Sequence, residues 1–336
     1  MAARCERRSG WRGRGLALLA AGLLGAAAPA RAFVISSGFL VCTPDPSCGP
    51  GAALDVARTL AEAPRWDASP AAAAGLGGGI RVSIAPGFVE GLAPTPDRVT
   101  GLRGAVEAAF RGWETPELRF DLHWDEPGVR GSTRGSELDL FLVDSTFPAF
   151  SGNSATGITS FSARFASDRR LTSGETLAGY AITGSDIFVA SDRFEFLLAL
   201  LEAGGFATEA DREARLTDLV LHELGHALGL DHPNESAWAN LDTDGDPMTP
   251  IAADPGDPFA GIGTSAVIDP NAILRGGFPP DPRALLYTAL RADDLSGRDV
   301  LYPRFVPEPG SAALVALGLA ISAGAGRGAA RARARR

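Results

Sequence analysis

The chain has no lysine, so all 31 of its basic residues are arginines. Six of them lie within residues 1–32 and five within residues 327–336. Residues 33–309 therefore carry 20 arginines against 39 acidic residues, a net charge of about −19. This acidic excess argues against nucleic-acid binding, because a phosphate backbone requires a basic surface. Apolar residues make up 45% of the chain, which is enough for a folded core.

Cysteine is scarce as well: the chain has three, and Cys5 lies in a predicted signal peptide. Residues 1–32 combine an arginine-rich start, an apolar run over residues 16–28 and the small-x-small sequence Ala30-Arg31-Ala32. This order is typical of a secretory signal peptide, and the apolar run is too short to span a membrane. We expect the exported chain to begin near Phe33.

Three of the four histidines fall within one run of eleven residues, HELGHALGLDH at positions 222–232. His222 and His226 are four residues apart, so on a helix they share a face and can bind one metal ion. Glu223 lies close to that face without being aligned as a ligand. The opposite face is apolar and should pack on a core; it consists of Val220, Leu221, Leu224, Ala227 and Leu228.

His232 would lie on the wrong side if the helix continued past Gly229. Glycine readily adopts the left-handed conformation that ends a helix, so a turn at Gly229 can return His232 to the other two histidines. Three imidazoles leave a fourth coordination position open, which is typical of catalytic rather than structural zinc. Zinc lowers the pKa of its water toward ~7, and Glu223 is then the candidate general base.

The pattern H-E-x-x-H-x-x-G-x-x-H resembles the metzincin metallopeptidases, and the full run resembles their matrixin branch, which includes the matrix metalloproteinases. Metzincins also carry a methionine turn beneath the zinc, and Asp246-Pro247-Met248-Thr249-Pro250 matches it. Met248 is the only methionine besides the initiator. The resemblance covers residues 80–302 and implies a zinc endopeptidase whose sheet edge pairs with an extended peptide substrate.

Hydrophobic alternation and helical periodicity predict an α+β fold. The predicted strands cover residues 80–84, 118–122, 138–143, 157–161 and 186–190. The predicted helices cover residues 96–112, 194–205, the zinc helix after Thr208, and residues 293–302. The resemblance implies a metzincin-like arrangement: a twisted, mostly parallel five-stranded sheet, the zinc helix and a smaller, irregular C-terminal subdomain.

The same features divide the chain into four parts. A signal peptide over residues 1–32 precedes an N-terminal extension over residues 33–79. That extension ends in a link rich in proline, alanine and glycine over residues 64–79, which we expect to be flexible. The catalytic domain follows over residues 80–305, and a sorting or anchor segment over residues 306–336.

Two further sites are expected outside the zinc motif. Cys42 and Cys48 form an even pair in an exported chain, which favours a disulfide. The resemblance raises an alternative, a cysteine switch in which a propeptide thiol blocks the zinc, but no PRCGxPD-like run is present. Asp242, Asp244 and Asp246 alternate around a glycine, which suits calcium. The glutamate that completes an EF-hand loop is missing, so an ordinary acidic turn remains an equal interpretation.

The C-terminal segment contains Pro307-Glu308-Pro309, an apolar run over residues 311–325 and five terminal arginines. This order resembles the PEP-CTERM sorting signal of Gram-negative bacteria. It implies an exosortase-type partner, transient contact with the inner membrane, and removal of the segment before the chain reaches the cell surface or medium. A plain C-terminal anchor is the alternative, although the apolar run is short for a stable span.

These features together predict a secreted zinc endopeptidase that acts on protein or peptide substrates. The zinc-activated water would attack the peptide carbonyl, and Glu223 would move the proton to the leaving amine. The alternative is a non-catalytic surface or matrix protein that keeps the zinc fold for binding. A purely structural zinc site has no need of Glu223, which favours the enzyme.

Overall fold

The structure is a computed structural model, and it describes residues 34–35, 39, 42–43, 53–67, 79–128, 137–172, 174, 176–232, 241–242, 263–264 and 282–303. The strands are β1 (Val34–Ile35), β2 (Cys42–Thr43), β3 (Ala53–Leu54), β4 (Arg65–Trp66), β5 (Ile80–Ile84), β6 (Phe120–Trp124), β7 (Leu138–Val143), β8 (Gly157–Arg170), β9 (Thr176–Ala190), β10 (Leu230–Asp231), β11 (Leu241–Asp242) and β12 (Gly263–Thr264). The helices are α1 (Val56–Glu62), α2 (Val99–Trp113), α3 (Ser191–Ala203), α4 (Arg212–Ala227) and α5 (Ala292–Leu301).

Six of these strands form one sheet, in which β6, β5, β7 and β9 are neighbours in that order and all run parallel. The long strand β8 pairs with β9 in the antiparallel direction. Strand β4 pairs with β9 at Ala181 and Ile182, beyond the stretch of β9 that pairs with β7. The fold is therefore α+β with a mostly parallel sheet, and this part of the prediction is confirmed.

The sheet has one strand more than predicted. The additional strand, β4, lies at the start of the 64–79 segment that was expected to be a flexible link. That expectation is wrong at this end of the segment, because Pro64, Arg65, Trp66 and Asp67 are all buried. A strand of two residues shows no alternation, so its burial comes from contacts with distant parts of the chain. Residues 68–78 lie outside the described residues.

The core lies between the sheet and the helices α2 and α4. Alternate residues of the central strands point into it, because successive side chains of a strand face opposite sides; examples are Val82 on β5, Leu140 on β7 and Ile187 on β9. Helix α2 contributes one apolar face, with Leu102, Val106, Phe110 and Trp113 buried. This packing places α4 directly beneath the sheet.

Strands β8 and β9 extend much further than the predicted spans of residues 157–161 and 186–190. Their outer halves form an antiparallel hairpin in which many side chains of β8 are exposed. Backbone pairing rather than alternating burial holds this part together, which explains why the hydrophobic pattern did not reveal it. Within the described part of the chain, no helix is long and apolar enough to cross a membrane.

Candidate metal centre

The centre is built on α4, which presents His222 and His226 on one face and buries the other. Val220, Leu221, Leu224, Ala227 and Leu228 all belong to the main core, as predicted. Helix α2 packs against α4, and Trp113 Nε1 donates to the Leu221 carbonyl at 2.9 Å. The two histidines therefore project from a rigid, buried helix.

The chain turns sharply after α4 to bring His232 back. Gly229 has φ of +98°, in the left-handed region that favours glycine, as the sequence predicted. A side chain at this position would also bring its Cβ to 2.2 Å from the Pro64 carbonyl oxygen. Glycine is therefore required twice, for the backbone conformation and for the close approach of Pro64.

The three Nε2 atoms converge into a nearly equilateral triangle. His226 lies 3.2 Å from His222 and 3.0 Å from His232, and His222 and His232 are 3.1 Å apart, all measured between Nε2 atoms. Tetrahedral zinc with bonds of about 2.0–2.1 Å sets its nitrogen ligands roughly 3.3 Å apart, so the triangle is close to that size. Among the described residues these three histidines are the group that could hold a metal ion.

A hydrogen bond fixes which ring nitrogen of His226 faces the centre. Its Nδ1 lies 2.9 Å from the Leu230 carbonyl oxygen, which accepts only if Nδ1 carries the proton. The Nε2 lone pair is then directed at the other two imidazoles. Three ring nitrogens at this spacing could hold a metal ion between them.

Glu223 is 3% exposed and lies beside the histidines. Its Oε2 accepts a hydrogen bond from Thr159 Oγ1 at 2.7 Å, which ties it to β8. A Cβ at Gly157 would lie 2.4 Å from the other carboxylate oxygen, so this glycine leaves room for Oε1. Burial raises the pKa of Glu223, and His226, Thr159 and Arg215 oppose that rise.

A buried ion pair lies one turn further back on α4. Arg215 Nη1 donates to Asp218 Oδ2 at 2.6 Å, and both side chains are almost inaccessible. Burial raises the pKa of Asp218 to about 7; Arg215 opposes this, and the negative charge of Asp294 on α5 reinforces it. The carboxyl of Asp218 is therefore close enough to the last described helix to feel the charge of Asp294.

The structure thus brings His222, His226, His232 and Glu223 together. Asp242 lies in β11 and Cys42 in β2, but their predicted partners Asp244, Asp246 and Cys48 lie outside the described residues, as does Met248. Calcium binding, the disulfide and the methionine turn therefore stay predictions.

Sequence reasoning placed Gly157 and Thr159 in a strand but missed their contacts with Glu223. The available signal was the small and polar residues, Gly157 and Thr159, that flank Ile158 at the start of the strand. It missed Trp66 entirely, although a tryptophan within an alanine- and proline-rich stretch was a sign of local burial. No family model, curated protein or solved structure matches the chain.

Proposed function

We propose that the chain is an exported zinc-dependent endopeptidase that resembles the matrixin branch of the metzincins. The observation that carries the proposal is the triangle of three Nε2 atoms, 3.0–3.2 Å apart, with the buried Glu223 carboxylate next to it. The linear order of the motif and the left-handed turn at Gly229 support the same assignment.

The donor set fits zinc. Three neutral imidazoles suit a borderline-soft ion that keeps an open coordination position for water or substrate. His222, His226 and His232 would hold the ion, and the Nδ1–H of His226, bonded to Leu230, keeps its Nε2 available. When bound, zinc supplies Lewis-acid activation of water and of a substrate carbonyl.

Glu223 supplies the proton transfers. Burial raises the pKa of Glu223, and a hydrogen bond from Thr159 holds Oε2. The carboxylate takes a proton from the attacking water and gives it to the leaving amine. The absence of a side chain at Gly157 leaves room for Oε1 beside β8.

Strand β8 is a suitable platform for an extended peptide. It contacts Glu223 through Gly157 and Thr159, and it pairs with β9 on one side. On its other side no strand of the described residues pairs with it. A peptide added there by backbone hydrogen bonds would place its carbonyl groups next to the metal centre.

The test is Glu223→Gln in the zinc-loaded protein. We expect full zinc content, because the histidines are unchanged, and a loss of casein hydrolysis of ~10²–10⁴-fold or more. Glu213→Gln, in the first turn of the same helix, is the matched control and should keep activity. Near-normal hydrolysis by Glu223→Gln would refute the mechanism. Zinc-loaded wild type that cleaves no peptide in a diverse library would favour the non-catalytic binding protein instead.

Export and C-terminal sorting are part of the same proposal and concern residues outside the described ones. We expect protein recovered outside the native host's cells to lack residues 1–32 and everything after Pro309. Mass spectrometry of terminal peptides measures this. Intact peptides ending at Arg336 in the extracellular fraction would contradict removal of the sorting segment.

A further inference from the structure

The last carbonyl groups of α4 are held by residues from far away in the chain. The end of a helix leaves carbonyls without partners inside the helix. Here Trp66 Nε1 donates to the Ala227 carbonyl at 3.1 Å, and the Tyr302 hydroxyl donates to the Leu228 carbonyl at 2.9 Å. The Tyr302 hydroxyl in turn accepts from the Trp66 backbone N–H at 3.2 Å. Trp66 and Tyr302 thus jointly fix the point where α4 ends.

The turn that follows is enclosed by the same N-terminal region. The Pro64 carbonyl packs so closely on Gly229 that no side chain fits there. At the next residue β10 begins, and it pairs in the antiparallel direction with β1, Val34–Ile35. His232 follows directly after β10, so residues that precede position 68 shape the segment that delivers the third histidine.

The segment that contains Trp66 is held in place by two buried guanidinium groups, those of Arg65 and Arg169. Arg65 donates to the Leu60 and Leu301 carbonyls at 2.5 and 3.1 Å. Arg169 donates to the Ala61 and Ala63 carbonyls, both at 2.5 Å, and also contacts β9. These bonds satisfy carbonyls at the ends of α1 and α5, and they supply acceptors to two buried guanidinium groups.

We infer that residues 53–67 are a permanent part of the metal centre and that Trp66 is a positioning residue for it. Trp66 acts through the turn at Gly229, which sets where His232 meets the other two histidines. The inference rests on the proposed function in one respect, that the three histidines bind zinc. Activation of the enzyme therefore leaves residues 53–67 in place, and any inhibitory piece that is removed must lie before them.

The first experiment compares two buried tryptophans that each donate to a carbonyl of α4. Trp66→Phe in the full chain removes the bond to the end of the helix. Trp113→Phe removes the bond to Leu221, whose position is already fixed inside the helix. We expect Trp66→Phe to weaken zinc binding about tenfold, as loss of a supporting hydrogen bond around a metal does. Trp113→Phe should change it less than twofold at comparable loss of thermal stability.

Zinc affinity is measured by competition with a chromophoric chelator, and Co²⁺ substituted for zinc reports the geometry through its visible spectrum. A shifted spectrum in Trp66→Phe alone supports positioning. Equal weakening of zinc binding in both variants, or unchanged zinc affinity in both, would contradict the positioning role of Trp66. If Trp66→Phe does not fold, the same measurements are made on Tyr302→Phe. This variant loses the hydrogen bond from the Tyr302 hydroxyl to the Leu228 carbonyl and keeps the aromatic ring.

The second experiment identifies the N-terminus of the active species. Protein purified by its peptidase activity should still contain Trp66 in covalent linkage to the domain. An active species that begins after residue 67 would overturn the inference. The two proposals can fail separately. If zinc binding depends on Trp66 but the protein has no peptidase activity, only the proposed function is contradicted. If Trp66→Phe keeps full activity and unchanged zinc affinity, only the positioning role of Trp66 is contradicted.

Discussion

The first two histidines and the third reach the metal centre by different structural routes. His222 and His226 share one face of α4, and their spacing follows from the pitch of the helix. His232 stands outside any helix, after a left-handed glycine and a strand of two residues. The helical pair is set by local geometry. The position of the third histidine is set by contacts of its turn and strand with β1, with Pro64 and Trp66, and with Tyr302.

This difference divides the centre into a rigid part and an assembled part. The rigid part includes Glu223, which lies on the same helix and is tied to β8 through Thr159. The two parts are joined by hydrogen bonds from His226 Nδ1 to the Leu230 carbonyl and from the Gly229 N–H to the His226 carbonyl. Damage to the turn should therefore reduce metal affinity while α4 and Glu223 remain in place.

The largest effect is expected from His232→Ala. Two helical histidines alone should bind zinc far more weakly, by more than the ~10–100-fold typical of losing an outer-shell partner. The apoprotein should unfold at nearly the same temperature, because His232 is only partly buried. Metal analysis after dialysis is the measurement, and His123→Ala on β6, the fourth histidine, is the control. Full zinc content in His232→Ala would show that the third ligand is misassigned.

Gly229→Ala alters the turn after α4 and leaves the three histidines unchanged. The new side chain must adopt a positive φ and push away the Pro64 carbonyl, so we expect destabilisation of at least about 2 kcal/mol and weaker zinc binding. Gly104→Ala is the matched control, because this glycine lies within α2 with open space around its Cβ position. That change should stabilise the protein by up to ~1 kcal/mol. Equal behaviour of the two variants in urea unfolding would contradict the role of the turn.

The same division explains what could be predicted from the sequence. The metal ligands, the apolar face of α4 and the left-handed Gly229 each follow from a periodicity or a residue type that acts locally. The strand at Trp66 and the guanidinium contacts of Arg65 and Arg169 do not, because each depends on partners more than a hundred residues away, such as Ala227 and Leu301. The outer halves of β8 and β9 were missed because exposed pairing leaves no apolar alternation.

The last predicted effect concerns the pH dependence of stability and belongs to the rigid part. The pKa of Asp218 is raised by burial to about 7 in the folded protein, against about 3.9 for an unfolded aspartate. Between these values the folded chain holds a proton that the unfolded chain has released. Stability from this group is therefore complete below pH ~4 and is lost as the pH rises toward 7, by at most about 1.4 kcal/mol per pH unit.

Asp218→Asn should remove this dependence. Asparagine keeps a side-chain oxygen that can accept from Arg215 but does not ionise, so the variant lacks this pH-dependent contribution. Urea unfolding of the zinc-free variant and wild type, measured from pH 4.5 to 7.5, isolates the slope because all other titratable groups are common to both. The difference in free energy of unfolding, variant minus wild type, should rise with pH across this window. A difference that stays flat would mean that Asp218 is ionised in the folded protein throughout, and that Arg215 outweighs the burial of the carboxyl and the nearby charge of Asp294.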